Sequence, residues 1–326
     1  MPIFLTLVRA VHFGSCMILQ SVFVLLMLAV LPGWNMARGR DAPAYDHLYR
    51  LVRRLVAVCL LVAFFSGFLW IWLAIASMSG SSLSESLQPN LFWMVLTQTQ
   101  PGRVWLLRAG VALVLATALL FVFGRRRGSK ASSLAIPLCA LLAMALTASL
   151  AWLGHAGAGE GPNQNLHLAG DLLHLVAAGI WPAGLAPFAI FLSRFLRARD
   201  PSLLLAACVA TRRLSALSLL TVGVLFASGL ANTYFLVGTF HALVSTDYGL
   251  LLLLKIVLAC AAVSIGAWNL LILKSRLAES GGLPPGETQS AALAKVARNV
   301  LIELCLASLI LFVVGLLGIT PPASHS

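Results

Sequence analysis

Three side chains on one predicted helix face could do coordination chemistry. In His167-Leu-Ala-Gly-Asp171-Leu-Leu-His174 the two imidazoles and the carboxylate stand at i, i+4 and i+7, which stacks them on one face over two turns. Trp181 continues that face seven residues further on. Two imidazoles and a carboxylate suit a divalent metal, and copper is the natural candidate from its high place in the affinity order. Asp171 could instead orient a histidine by hydrogen bond, or pair with Arg9. His155 opens a glycine-rich stretch, residues 154–161, which also holds Glu160 and could collect an ion. His12 lies about nine residues into the first apolar stretch, roughly 13 Å along a helix axis. Weaker ligand candidates are His241, Cys16 one turn from His12, and the thioethers of Met78 and Met94, which would suit Cu(I). His47 and His325 read as loop and tail residues.

The elements that must position these groups are transmembrane helices. Sixty per cent of the residues are hydrophobic, 10% are charged and mean hydropathy is +0.96, against about a quarter charged in soluble chains. Eight apolar stretches approach or exceed the ~20 residues a helical span needs: residues 3–31, 51–78, 104–123, 134–153, 166–191, 214–237, 248–273 and 300–319. Backbone polar groups in lipid must be satisfied internally, so each is a helix. The fold class expected is all-α, a polytopic membrane protein with eight transmembrane helices. The first stretch is read as a retained span, because its apolar run is too long for a signal peptide and no A-x-A site follows it. Pro182 and Pro187 are expected to bend the fifth helix.

Charge sets the orientation. Eighteen of the 22 Lys and Arg residues fall between stretches one and two, three and four, five and six, or seven and eight. Cytoplasmic loops are enriched in cations, so the protein is expected in a bacterial inner membrane with both termini periplasmic. Six of the seven histidines, all but His47, then lie toward the periplasmic side. The net charge of +12 is a topology signal with some attraction to the lipid bilayer, not a nucleic-acid footprint. Arg108 and Lys255, near the outer ends of spans three and seven, are expected to snorkel to the interface. Glu303 is expected near the inner end of span eight. The six cysteines are scattered singly, without a C-x-x-C pair, and read as small hydrophobes rather than a disulfide framework.

The chain also looks duplicated. Shifted by 162 residues, His12 falls on His174, Arg50 on Arg212, Ser66-Gly67 on Ser228-Gly229, and Arg9 on Asp171. Thr99-Gln-Pro-Gly102 then aligns with Thr246-Asp-Tyr-Gly249, which places Arg108 on Lys255. Ile136-Pro-Leu-Cys139 aligns with Ile302-Glu-Leu-Cys305. Two halves, residues 1–160 and 161–326, are expected, each with four spans. An even span count keeps both in one orientation, about a pseudo-two-fold axis along the membrane normal. His12 and His174 could then face each other across that axis.

The run Asp171-Leu-Leu-His-Leu-Val-Ala-Ala-Gly-Ile-Trp181-Pro-Ala-Gly-Leu185 resembles the corresponding helix of the copper resistance protein D (CopD) family. So do Arg212-Arg-Leu-Ser215, Ser228-Gly-Leu-Ala-Asn232, Thr246-Asp-Tyr-Gly249 and Lys255. The resemblance covers residues 166–317, with Pro182 a departure from that pattern. It implies an eight-span inner-membrane protein associated with copper uptake, working beside a periplasmic copper-binding protein.

No phosphate-binding loop is present, so any transport is passive or ion-coupled, and no enzymatic activity is expected. The expected function is copper transport from periplasm to cytoplasm, as Cu(I) or Cu(II), contributing to copper homeostasis or resistance. His155 and His167 would collect the ion, and His174 and His12 would hold it, with Asp171 as ligand or support. One alternative is a b-type haem protein with His12 and His174 as axial ligands. Another is an assembly factor that hands copper to an oxidase.

Overall fold

The computed structural model describes residues 2–36, 42–124, 130–158, 162–198, 201–277 and 287–323. The basic residues Arg38, Arg40, Arg125, Arg126, Arg127 and Arg199, with Glu160 and His325, lie outside the described residues. Within them the fold is helical, without strands. Eight helices are long and apolar enough to cross a membrane: Ile3–Asn35, His47–Ser79, Gln100–Leu120, Ala135–Leu153, Gln164–Arg197, Leu203–Leu236, Asp247–Leu271 and Ser290–Leu317, spans one to eight.

Several spans outrun their apolar stretches. Span six starts at Leu203 and span eight at Ser290, so Arg212, Arg213, Lys295 and Arg298 are helical rather than loop residues. Arg50, Arg53 and Arg54 likewise sit in the helix Ala42–Ser79. Lys and Arg are good helix formers, and their long stems let a helix run on past the hydrocarbon while the charge reaches water. Glu303 lies roughly 20 Å along the helix axis from Ser290 but only five residues, roughly 7.5 Å, beyond Arg298.

Span one is the hub. Of its most apolar window 78% is buried, against 6% for span seven. It packs against spans two, four, five and eight. Close approach depends on two glycines. A Cβ on Gly179 in span five would lie 2.5 Å from Gln20 Oε1, and one on Gly315 in span eight 2.8 Å from the Thr6 carbonyl oxygen. Phe64, Phe65, Leu120, Leu219 and Phe226 point outward, which costs nothing against lipid tails as apolar as themselves.

Prolines shape spans one and five. Span five breaks: one helix ends at Ile180, a turn covers residues 181–184, and a second helix starts at Leu185. Proline offers no N–H to the carbonyl four residues earlier, so Pro182 and Pro187 free the carbonyls of Ala178 and Ala183. The Ala183 N–H takes the first at 3.1 Å. The Ala186 N–H takes the second at 3.4 Å, and Gln20 Nε2 donates to the Val176 carbonyl at 2.9 Å. In span one a π-helical turn at Leu26–Val30 precedes Pro32. Arg213 Nη1 donates to the Leu28 carbonyl that this proline frees, at 3.3 Å.

Short connectors that hydropathy does not reveal cap the end of the bundle holding His155 and His241. They include helices Pro89–Gln98 and Phe240–Ser245. Each leads into the next span through a threonine. The N–H of Gly102 donates to Thr99 Oγ1 and that of Gly249 to Thr246 Oγ1, both at 3.1 Å. The two spans so capped carry Arg108 and Lys255, each nine residues beyond its threonine.

Candidate functional site

The stripe His167, Asp171, His174 stands on one continuous helix, Gln164–Ile180, and span six answers it rung by rung. The His167 ring stacks on Phe235 with centroids 4.9 Å apart. Asn232 Nδ2 donates to Asp171 Oδ1 at 3.2 Å. His174 Nδ1 lies 3.0 Å from Ser228 Oγ. The partners descend 235, 232, 228, the same helical spacing read backwards, as antiparallel helices require.

Spans one and two hold a second ladder of the same design. His12 Nδ1 lies 3.1 Å from Ser66 Oγ. The Arg9 guanidinium sits over the Trp70 ring at 4.7 Å. Leu5 and Leu73 join one apolar cluster. The separation from histidine to serine is 54 residues in both ladders, and that of the middle rung is 61 in both. The middle rung keeps its place while its chemistry changes, from cation and aromatic ring to acid and amide. Arg9 and Asp171 therefore do not pair with each other. Gly318 packs against the Arg9 guanidinium.

A third member completes each site. Arg108 Nη2 from span three lies 2.7 Å from His12 Nε2, and Lys255 Nζ from span seven lies 3.3 Å from His174 Nε2. The proton positions follow from donor counting. Ser66 Oγ donates its single hydrogen to the Val62 carbonyl, and Ser228 Oγ to the Val224 carbonyl, both at 2.6 Å. Each serine oxygen therefore accepts from the Nδ1–H of its histidine. Each Nε2 keeps its lone pair and accepts from a cationic side chain.

Arg108 and Lys255 thus turn inward instead of snorkelling. Arg108 is 3% exposed. It also donates through Nη1 to the Leu146 carbonyl at 2.6 Å and to Ser149 Oγ. The α-helix of span four gives way there to a 3-10 turn, Ser149–Leu153, so acceptors stand free of the regular ladder. Trp105 lies 5.2 Å from the guanidinium carbon. Trp70 and Trp105 flank the His12 ring at 5.6 and 5.2 Å. Gly67 makes room, since a Cβ there would come within 3.0 Å of both His12 and Trp105. Cys16 is buried against this group, with Sγ 3.7 Å from His12 Nε2 and 3.6 Å from Arg108 Nη2.

The structure does not bring His12 to His174; each imidazole uses both ring nitrogens within its own four spans. His155 reaches elsewhere, its Nε2 3.1 Å from the Leu317 carbonyl oxygen and its ring 6.0 Å from that of Tyr248. It lies close enough to His167 to interact electrostatically. His241 is exposed on its short helix, and Met78 and Met94 are 55% and 53% exposed. All six cysteines are free thiols. Among the described residues no three His, Cys, Asp or Glu side chains form a group able to hold a metal ion.

Sequence reasoning undervalued Ser66, Ser228, Arg108 and Lys255. The signal that marks them is the repeat register of the two halves: the serine and the cation that it matches along with each histidine are the groups that touch that histidine.

Known proteins bear on this geometry. Residues 1–165 match the family model "Copper resistance protein D-like, N-terminal domain", and residues 209–317 match "Copper resistance protein D". The chain is 29% identical over 307 residues to a copper resistance protein D of Pseudomonas syringae pv. tomato, covering 91% of this chain and 93% of that one. It is 29% identical over 198 residues to the copper transport protein CutJ of Bacillus subtilis (strain 168), covering 61% of this chain and only 35% of the relative's length. It is 29% identical over 201 residues to the inner membrane protein YebZ of Escherichia coli (strain K12), 61% of this chain and 63% of that one. No solved structure shows a significant match.

Proposed function

The chain belongs to the copper resistance protein D family, and from that premise we propose that it carries copper across a bacterial inner membrane, from periplasm to cytoplasm, as a transporter and not a catalyst. The observation that supports this reading most is the pair of buried imidazoles whose Nε2 lone pairs each meet a positive charge. A cation beside an imidazole is what a loaded copper site contains, and each half already accommodates one within the membrane.

Arg108 and Lys255 act as internal stand-ins for the cargo. When copper arrives, the guanidinium swings off His12 Nε2. The ion then takes that nitrogen and the neighbouring Cys16 sulfur, a soft pair suited to Cu(I). At the other site His174 receives the ion as Lys255 withdraws, with Asp171 close by as ligand or support. His155 and His167, near the His241 end of the bundle, collect the ion, and His241, Met78 and Met94 line its approach from a periplasmic copper-binding protein. The two halves are copies about a pseudo-two-fold axis, so the ion meets two separate stations rather than one shared site. A haem held between His12 and His174 is less favoured, because both imidazoles have both nitrogens engaged within their own halves.

The test is metal analysis of the purified protein reconstituted with Cu(I), wild type beside a His12→Ala, His174→Ala double variant. The expected result is a loss of bound copper in the variant. Unchanged copper stoichiometry would overturn the reading. Cellular copper in a deletion strain, expected to fall relative to the complemented strain, tests the direction.

A further inference from the structure

The second half contains a polar cluster that the copper reading does not use. Glu303 in span eight is 2% exposed, and Asn269 and Asn299 are 6% and 8% exposed. Asn299 Nδ2 donates to Asn269 Oδ1 at 2.8 Å, and Asn269 Nδ2 donates to Glu303 Oε1 at 2.7 Å. The two amides therefore form a one-way chain that ends on one carboxyl oxygen. The other oxygen, Oε2, lies toward Gly266, where a Cβ would approach it to 3.4 Å.

Asn269 and Glu303 line a cavity of about 130 Å³ between spans five, six, seven and eight, and Asn299 supports Asn269 from outside its wall. The other residues of that lining with polar side-chain atoms are Trp181, Thr211, Ser215, Ser218 and Asn269. None of these is charged, and among the described residues no cation acts on Glu303. The volume and the hydroxyls suit several ordered waters. Counted along spans five to seven, the cavity lies roughly 10–16 Å of helix axis from His174, Ser228 and Lys255.

An uncompensated carboxylate in the membrane interior is expensive, and such groups face cavities or partners with a function. In the neutral acid Oε1, which accepts from Asn269, is the carbonyl oxygen, and the hydroxyl is Oε2, on the cavity side. We propose that Glu303 is a reversible proton-carrying site within the membrane, positioned by Asn269 and Asn299 and loaded through the cavity. In the step, the Oε2–H bond breaks, a cavity water gains the proton as hydronium, and the resulting carboxylate keeps the Asn269 N–H. Reloading is the reverse, with no change in oxidation state. The broken segment of span five supplies Trp181 to the cavity wall, so a movement there would open or close the route.

The test uses the full chain in lipid vesicles and a hydrophobic carbodiimide, which adds to protonated carboxyls, with the product located by mass spectrometry. Labelling at Glu303 is expected, falling about tenfold per pH unit above its midpoint as for a single proton. It should be the same in sodium chloride and choline chloride. Asn269→Leu removes the donor that supports the ionised form, so labelling should persist to higher pH. Glu303→Gln should carry no label at that position. No label on Glu303 at any pH, pH-independent label, or protection by sodium alone would each overturn the proposal. None of these readouts involves copper, so failure of copper binding at His12 and His174 leaves the proposal standing, and the converse holds.

Discussion

The guanidinium of Arg108 sits 2.7 Å from Nε2 of His12, deep in the bundle beside the Trp105 ring. A charged donor on an imidazole lone pair is stronger than a neutral hydrogen bond, and here it also ties span three to spans one and four. Lys255 makes the same contact with His174, longer and with a single ammonium in place of a fork.

Arg108→Ala strips the donor from His12 Nε2, the Leu146 carbonyl and Ser149 Oγ together. Hydrogen bonds from charged groups contribute ~1.5–3 kcal/mol each, and buried acceptors left alone add to the loss. A destabilisation of about 3 kcal/mol is expected in detergent, read by thermal unfolding. Arg108→Lys should recover part of it, because one donor remains but the fork is lost. A variant as stable as wild type would show that the network carries no weight.

Ser66→Ala and Ser228→Ala each remove one acceptor of an Nδ1–H, at about 1 kcal/mol. The two serines share no partner, so their effects should add within ~0.5 kcal/mol in the double variant. Marked non-additivity would mean that the two sites are one.

Gly179→Ala pushes a methyl into Gln20. Overpacking of this kind costs ~1–3 kcal/mol. Shortening the opposing side chain should relieve it, so a Gln20→Ala, Gly179→Ala double variant should be more stable than Gly179→Ala alone. If the double is worse by the sum of the singles, the crossing of spans one and five is not as described.

His155→Ala removes the hydrogen bond to the Leu317 carbonyl, at about 1 kcal/mol. Hydrogen exchange at the amides of residues 318–320 should speed up several-fold, corresponding to that energy. Unchanged protection would separate the loop from the end of span eight.

Orientation is tested by impermeant maleimide on intact cells, in a background without the native cysteines. Ser84→Cys, between spans two and three, should label from outside. Ser129→Cys, beside the arginine run, should label only after the membrane is opened. The reverse pattern would invert the positive-inside assignment.

Much of the scaffold was legible in the sequence. Eight apolar runs gave eight spans, because a helix is the only open-ended solution for backbone in lipid. Pro182 and Pro187 announced the break in span five. The stripe of His167, Asp171 and His174 was legible from helical spacing alone. Its partners were not, because a stripe on one helix says nothing about what faces it. Arg108 and Lys255 looked like interface residues because each stands close to a helix end. Only packing against spans one and five reveals that an imidazole waits on the inner side. The partners of Glu303, Asn269 and through it Asn299, were not legible for the same reason: nothing in the sequence says which helices face it.

The middle rungs have one more consequence. Two ladders of matching geometry place a guanidinium at position 9 and a carboxyl at position 171, with the two helices running the same way through the bilayer. The first rung is a cation held over a ring, while the second is an acid with Lys255 close enough to answer its charge. Exchanging Arg9 and Asp171 would leave that frame in place but set a guanidinium beside Lys255, so the second ladder should tolerate the exchange less well than the first.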